Sequence, residues 1–293
     1  MATIKWDATL TATSSIAHGG ETRGTITLLR RELIAHPSGH LVHVPVISGN
    51  TLRGRLRRVG EELLRDVLNY EGLLHPAAAH ALRGGGSLAK ASHEPLSGNR
   101  LQRLRDLVPQ IGIFGAAGGG AIIDGALDVG KVVPHVAETN HITGATSTVS
   151  AFTATQIEAY TRQDDSSTHD FAQVLAVPPT ARLTFDATGF PEIHEHLSSS
   201  QQMLFNIETF PTGTTFATWI RLRRSTDLEL AFFTDLLEAF TADARIGGRI
   251  GIGHGQIRVD LQASADRAAP LVDWRAHARD HRDEILQSLG GLV

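Results

Sequence analysis

Val46-Ile47-Ser48-Gly49-Asn50-Thr51-Leu52-Arg53-Gly54-Arg55-Leu56-Arg57-Arg58 is the stretch on which the reading turns. Ahead of it, His40 to Val46 reads as a short strand. Within it the apolar period changes. Leu52, Leu56, Val59, Leu63 and Val67 recur at helical spacing, which predicts a helix from Asn50 to Leu68. Ser48 or Asn50 can supply the N-cap side chain. A strand that turns through Ser-Gly-Asn into a helix leaves free N–H groups together, and the helix dipole favours an anion there. A cation in that first turn is disfavoured by about 0.3–1 kcal/mol, so Arg53 makes more sense beside a phosphate. Arg53 and Arg57 flank the apolar stripe, whereas Arg58 points away from it. Glu61 and Glu62 stand i,i+4 from Arg57 and Arg58 and offer plain surface pairs as the alternative.

Working outward, residues 3–13 alternate. Ile4, Trp6, Ala8, Leu10 and Ala12 share one face and polar residues the other, the pattern of a half-buried strand. Ala17-His18-Gly19-Gly20 breaks it. Gly24 to Leu33 reads as a further strand, turned into His40–Val46 by Pro37-Ser38-Gly39. Beyond the helix, Pro76–Leu82 and Leu101–Val108 are short helical stretches split by Gly84-Gly85-Gly86, and Ala126–Val133 is a strand. From Pro134 to about Pro179 the pattern dissolves into Thr, Ser, Asp and His, as expected of an inserted, mobile excursion. Met203–Phe210 and Thr214–Leu222 then predict a strand pair around Pro211-Thr212-Gly213. Thr226 and Glu229 form a capping box for a helix with Leu228, Phe232, Leu236 and Phe240 on its apolar face. Ala244–Gly255 is a Gly-rich loop, Gln256–Leu261 a strand, and Trp274–Leu289 a last helix stopped by Gly290-Gly291. Strand-helix-strand occurs twice, which predicts an α+β chain with the split βαβ arrangement of a ferredoxin-like (RRM-like) fold.

Composition narrows the function. The 293 residues contain no Cys, which excludes a thiolate metal site and a Cys nucleophile. No apolar run approaches the roughly 18 residues of a spanning helix and no signal peptide opens the chain, so no membrane partner and a cytoplasmic location are expected. Residues 1–58 hold eight cations and three anions, although the whole chain has a formal net charge of −4. A polyanion should therefore meet the N-terminal segment first. There is no P-loop, GxSxG elbow or HExxH motif. The runs Gly112 to Gly118 and Gly247 to Gly255 lead into strands, not helices, which argues against dinucleotide binding. His277 and His281 lie i,i+4 on a helix, and His36, His40 and His43 flank a turn. Neither set has an evident further ligand, and no metal or other cofactor is expected.

With these pieces in order, the chain resembles the repeat-associated mysterious protein (RAMP) superfamily of CRISPR systems, and within it the backbone subunit that coats guide RNA. The likeness rests on five features. They are the small-residue turn Ser15-Ile16-Ala17-His18-Gly19-Gly20, the helix start Pro45 to Gly54, and Ile113-Phe114-Gly115 ahead of a strand. The others are Glu208-Thr209-Phe210-Pro211-Thr212-Gly213-Thr214-Thr215-Phe216 and the Gly247–Gly255 run. The His-Gly-Gly-Glu start with its Arg-rich helix is most similar to the type IV backbone subunit.

The resemblance implies a palm (1–134 and 203–265) with a finger-like insertion at about 70–125, a thumb at 135–202 and a C-terminal helix at 266–293. It implies a CRISPR antiviral-defense ribonucleoprotein in which copies stack head to tail as a helical filament along a guide RNA (crRNA). Other effector subunits join them, and target nucleic acid pairs with the guide. The implied RNA-binding residues are His18, Gly19, Gly20, Arg23, Ser48, Gly49, Asn50, Arg53, Arg55, Arg57, Arg245, Gly248 and Arg249. Coating without sequence preference needs phosphate contacts, and 5% aromatic residues argues against base stacking as the main grip. In type III relatives an aspartate in the loop after the first strand cuts target RNA. Residues 15–40 here contain no Asp, only Glu21 and Glu32, so no catalysis is expected. The alternative is an RNA endonuclease on the same fold, processing repeat RNA with His18 or His254 as acid or base.

Overall fold

The alternation at 3–13 folds as strand β1 (Ala2–Ala12), at the centre of an antiparallel sheet. Helix α1 (Gly49–Leu68) follows it and leads through a helical region to the edge strand β2 (Leu127–Val129). Then come strand β3 (Thr215–Ser225), helix α2 (Asp227–Ala242) and strand β4 (Ile257–Ala263). The computed structural model describes residues 2–86, 98–118, 121–162, 184–185, 191–192, 203–264 and 272–292. Sheet order is β4-β1-β3-β2 with every neighbour antiparallel. That is two interleaved βαβ units, the ferredoxin-like order. Register places Leu10 of β1 between Phe216 of β3 and Val259 of β4, so Ile4, Ala8, Leu10, Phe216, Ile220 and Leu222 meet in one core.

Both helices lie in that core. In α1, Leu64 and Leu68 are fully buried beside Leu52, Leu56 and Val59, while Leu63 and Val67 are partly buried, so the apolar stripe is wider than the spacing predicts. In α2, Phe232 and Phe233 are both fully buried, because the sheet takes one face and other helices the other. Each such side chain contributes roughly 2 kcal/mol of burial. The Thr226–Glu229 capping box is present, with Glu229 N–H donating to Thr226 Oγ1 (3.1 Å) and Thr226 N–H to Glu229 Oε2 (2.8 Å). The helix at Ser48 has no side-chain cap; Ser48 Oγ bonds Thr51 Oγ1 (3.0 Å) instead.

Three expectations are corrected. Met203–Thr209 does not pair with β3. It pairs antiparallel with Gln156–Arg162 and parallel with Ile26–Leu29, which is joined to Gly19–Arg23, in a separate sheet. The turn at 211–214 is the crossover between the sheets, pinned to β1 by Gly213 N–H to Ala12 O and Ala12 N–H to Thr214 O, both 2.8 Å. Phe210 and Phe216 pack edge to face across it, with ring centroids 5.0 Å apart. The expected strand at Gly24–Leu33 is divided between that sheet and the hairpin of Arg31–Ala35 with Leu41–Pro45. The C-terminal helix is two, Trp274–Asp280 and Arg282–Gly290, broken at His281.

Residues between α1 and β2 form helices Pro76–Gly84, Gly98–Leu107 and Pro109–Phe114 and the hairpin of Ala116–Gly118 with Ala121–Ile123. Leu104, Val108, Ile111 and Phe114 join the main core. Of the expected excursion, 135–162 is described. It ends in strand Gln156–Arg162, and residues 163–202 lie outside the described residues apart from the short pair Thr184–Phe185 and Pro191–Glu192.

Candidate functional site

Three segments meet at one end of the main sheet: the turn after β1, the start of α1, and the Gly-rich loop ahead of β4. Gly248 N–H donates to Ala17 O (2.7 Å) and Gly255 N–H to Ser15 O (2.8 Å). Gly247 has φ +90° and approaches so closely that a Cβ there would stand 2.5 Å from Ala17 O, so only glycine permits this contact. His18 joins the turn to α1, its Nε2 accepting Ser48 N–H at 3.2 Å. Burial, then the Arg30 charge, lowers the His18 pKa and favours the neutral ring that such an acceptor requires.

Between α1 and the loop lies a cleft of ≈ 190 Å³. Asn50, Thr51, Gly54, Arg55 and Arg58 line one side, and Arg245, Ile246, Gly247 and Ile250 the other. Three guanidinium groups and no carboxylate line it. Arg245 pairs with Asp243 (3.0 Å) beside the cleft. No ion-pair partner is found among the described residues for Arg55 or Arg58, and Arg55 Nε is a buried donor with no acceptor. The arrangement suits a phosphate, whose oxygens match the guanidinium forks and the free N–H groups of the helix start. Arg249, in the loop between the lining residues Gly247 and Ile250, has φ +57° and its guanidinium carbon 5.1 Å from the Phe205 ring centroid.

The cleft gathers Asn50, Arg55 and Arg245 of the expected set, and Ser48, Gly49, His18, Gly248 and Arg249 adjoin it. Gly49 packs against β2, where a Cβ would stand 3.0 Å from Gly130 O. Gly19, Gly20 and Arg23 do not line the cleft; they form the exposed strand Gly19–Arg23, with Arg23 paired to Glu21 at 2.7 Å. Gly20 serves a close approach, since a Cβ would stand 2.7 Å from Arg30 Cα.

Arg53 and Arg57 do not line this cleft; they border a separate one beside Phe114 and Ile123. Arg57 is 8% exposed and donates to Ala81 O (3.0 Å), Gly115 O (3.1 Å) and Phe114 O (2.7 Å). Arg53 donates to Phe114 O (2.9 Å) and to Leu127 O. Ala81 and Phe114 lie in the last turns of Pro76–Gly84 and Pro109–Phe114, where carbonyls lack helical partners and the dipole favours a cation. These two arginines hold the helical region to α1. Burial and then Arg53 pull the Arg57 pKa down to about 10. Glu61 does not pair with Arg57; it accepts from Tyr70 Oη (2.9 Å).

The cleft arginine missed by sequence reasoning is Arg58, read there as a solvated residue or a partner of Glu62. Its signal was the i,i+3 spacing to Arg55, which puts both on one helical face. A larger cleft, ≈ 760 Å³, lies on the polar face of the main sheet around Lys5, Asp7, Thr9, Trp219 and Asp260, with both charge signs present. His277 and His281 stack with ring centroids 4.4 Å apart, and Ser38 Oγ bridges His36 and His40. Among the described residues no group of three His, Cys, Asp or Glu could hold a metal ion. No helix of the described residues is long and apolar enough to cross a membrane.

The chain is similar to a chain of a Type IV-B CRISPR complex, with 29% identity, a TM-score of 0.59, and coverage of 92% of this chain and 96% of that one. It also matches the crystal structure of Thermofilum pendens Csc2 at 16% identity and a TM-score of 0.42, covering 99% of this chain and 81% of that one. No curated protein matches. The sequence model of the RAMP superfamily matches residues 9–258, from β1 through the helix start to the Gly-rich loop and β4, and the chain belongs to that superfamily.

Proposed function

We propose that this protein is a backbone subunit of a CRISPR effector complex that grips guide RNA through its phosphates. The observation that carries the reading is the cleft in which Arg55, Arg58 and Arg245 face the free end of α1 with no carboxylate among its lining residues. The similarity to a chain of a Type IV-B CRISPR complex over 92% of this chain supports the same reading. Phosphate contacts hold any guide sequence equally and leave the bases to pair with a target. Copies add head to tail, because a heterologous interface that does not close makes an open filament. In this reading the main sheet with its helical region serves as palm and finger, and 135–202, which lends strand Gln156–Arg162 to the second sheet, as thumb.

The subunit holds RNA and does not cut it. His18 has its Nε2 occupied by Ser48 N–H, Glu21 is paired with Arg23 and Glu32 with Lys131, which supports structural roles for all three. The test is purification from cells that express the protein with its own guide array. A nucleic-acid-bearing particle that shrinks on ribonuclease treatment, with guide RNA recovered by sequencing, is expected. A nucleic-acid-free protein under those conditions, or His18-dependent cutting of repeat RNA in single turnover, overturns the reading.

A further inference from the structure

The Gly-rich loop is tied to the second sheet by a partly buried chain of hydrogen bonds that the phosphate grip does not itself use. His254, in that loop, is 2% exposed. Its Nδ1 lies 2.9 Å from Ser15 Oγ and its Nε2 2.6 Å from Tyr160 Oη. Tyr160 Oη donates to Glu158 Oε2 (2.6 Å), and Glu158 Oε1 accepts from Thr209 Oγ1 (2.7 Å) and Gln156 Nε2 (3.0 Å). The phenol has one proton, and the carboxylate takes it. The phenol oxygen must then accept from His254, which puts an imidazole proton on Nε2 and leaves Nδ1 facing the Ser15 hydroxyl, which also bonds Glu158.

Burial pushes the Glu158 carboxyl up, but hydrogen bonds from Tyr160, Thr209, Ser15 and Gln156 outweigh it and hold the pKa at about 2. Burial and Glu158 push Tyr160 up to about 12. Glu158 therefore remains an acceptor and Tyr160 a donor across neutral pH. The aromatic faces continue the chain. Tyr160 packs on His254 (5.6 Å between centroids) and stacks on Phe205 (5.7 Å, 20° between planes), and Arg249 sits over Phe205. Arg249 holds a left-handed backbone that non-glycine residues rarely adopt, so something beyond its own preference must keep it there.

We infer that Tyr160 is a positioning residue: through His254 and Phe205 it orders the Gly-rich loop and aims Arg249 at an RNA seated along the adjoining cleft. The consequence for affinity rests on the RNA-gripping reading; the ordering of the loop does not.

Tyr160→Phe keeps the ring and removes the hydroxyl. In RNA-free protein, amide hydrogen exchange across 247–255 is expected to quicken by about tenfold while α2 stays protected. By fluorescence anisotropy with a labelled single-stranded RNA, Tyr160→Phe is expected to weaken binding roughly fivefold, and less than about twofold in an Arg249→Ala background, because coupled residues are non-additive. Ser15→Ala, which removes the hydroxyl that faces His254 and Glu158 while leaving Tyr160 in place, should quicken the same amides and serves if Tyr160→Phe lowers the Tm of the whole chain. Unchanged exchange in the loop overturns the tie. Affinity losses that multiply in the double variant overturn the aiming of Arg249. If the unaltered protein binds no RNA, the RNA-gripping reading fails by itself, and the exchange result still decides the tie.

Discussion

Arg55 and Arg58 should set the salt dependence of RNA binding, and Arg53 should not. The cleft offers three guanidinium groups, from Arg55, Arg58 and Arg245. If each neutralises one phosphate of a single strand, log K falls with log salt at about −0.7 per contact, or about −2.1 for the three. Between 50 and 400 mM salt the affinity then drops about 80-fold. In an Arg55→Ala/Arg58→Ala double variant one contact remains, the slope falls to about −0.7, and the same salt step costs only about fourfold. The assay is anisotropy titration of a labelled single-stranded RNA over a salt series. Arg53→Ala is the internal contrast. Its guanidinium serves the carbonyls of Phe114 and Leu127, so its loss should lower the Tm and leave the slope unaltered. An unaltered slope in the double variant, or a slope lost in Arg53→Ala at unchanged Tm, refutes the assignment.

Glu208→Gln should destabilise the chain by about 3 kcal/mol in urea denaturation, because it leaves Arg31 half-buried without its carboxylate. Burial raises the Glu208 pKa, but bonds from Arg31, Leu29 N–H and Thr155 outweigh that and hold it below its ordinary value of 4.5. Its contribution is therefore complete above the unfolded pKa and fades as pH falls through the lower folded value, so the gap between the protein and its variant should narrow from pH 7 to pH 3. Arg57→Met should cost on the order of 3 kcal/mol by thermal or urea unfolding, since it removes the guanidinium from the carbonyls of Ala81 and Gly115 and leaves Phe114 O to Arg53 alone. Thr226→Ala should cost about 1 kcal/mol by loss of the α2 cap, with RNA affinity unchanged.

Local rules were enough for the elements whose neighbours are near in sequence or whose periodicity is strong. The alternation of β1, the change of period into α1, the Thr226–Glu229 box and the Gly-rich run into β4 each express a backbone preference that a short window contains. Taken in order they yield the two βαβ units. The same windows could not decide partners. Met203–Thr209 and β3 both look like strands around a Pro-Thr-Gly turn, and a hairpin is the natural reading; only the bonds from 213–214 back to Ala12 turn that segment into a crossing between sheets.

The arginines of α1 divide in the same way. By itself the sequence determined that residues 50–68 form a helix and that positive charge gathers at its start. It could not tell Arg53 and Arg57, turned toward the carbonyl ends of two later helices, from Arg55 and Arg58, turned toward a loop almost two hundred residues away. A guanidinium goes wherever the nearest unsatisfied oxygens are. Those oxygens, like the Tyr160 hydroxyl that meets His254, are brought near only when the sheets and helices pack.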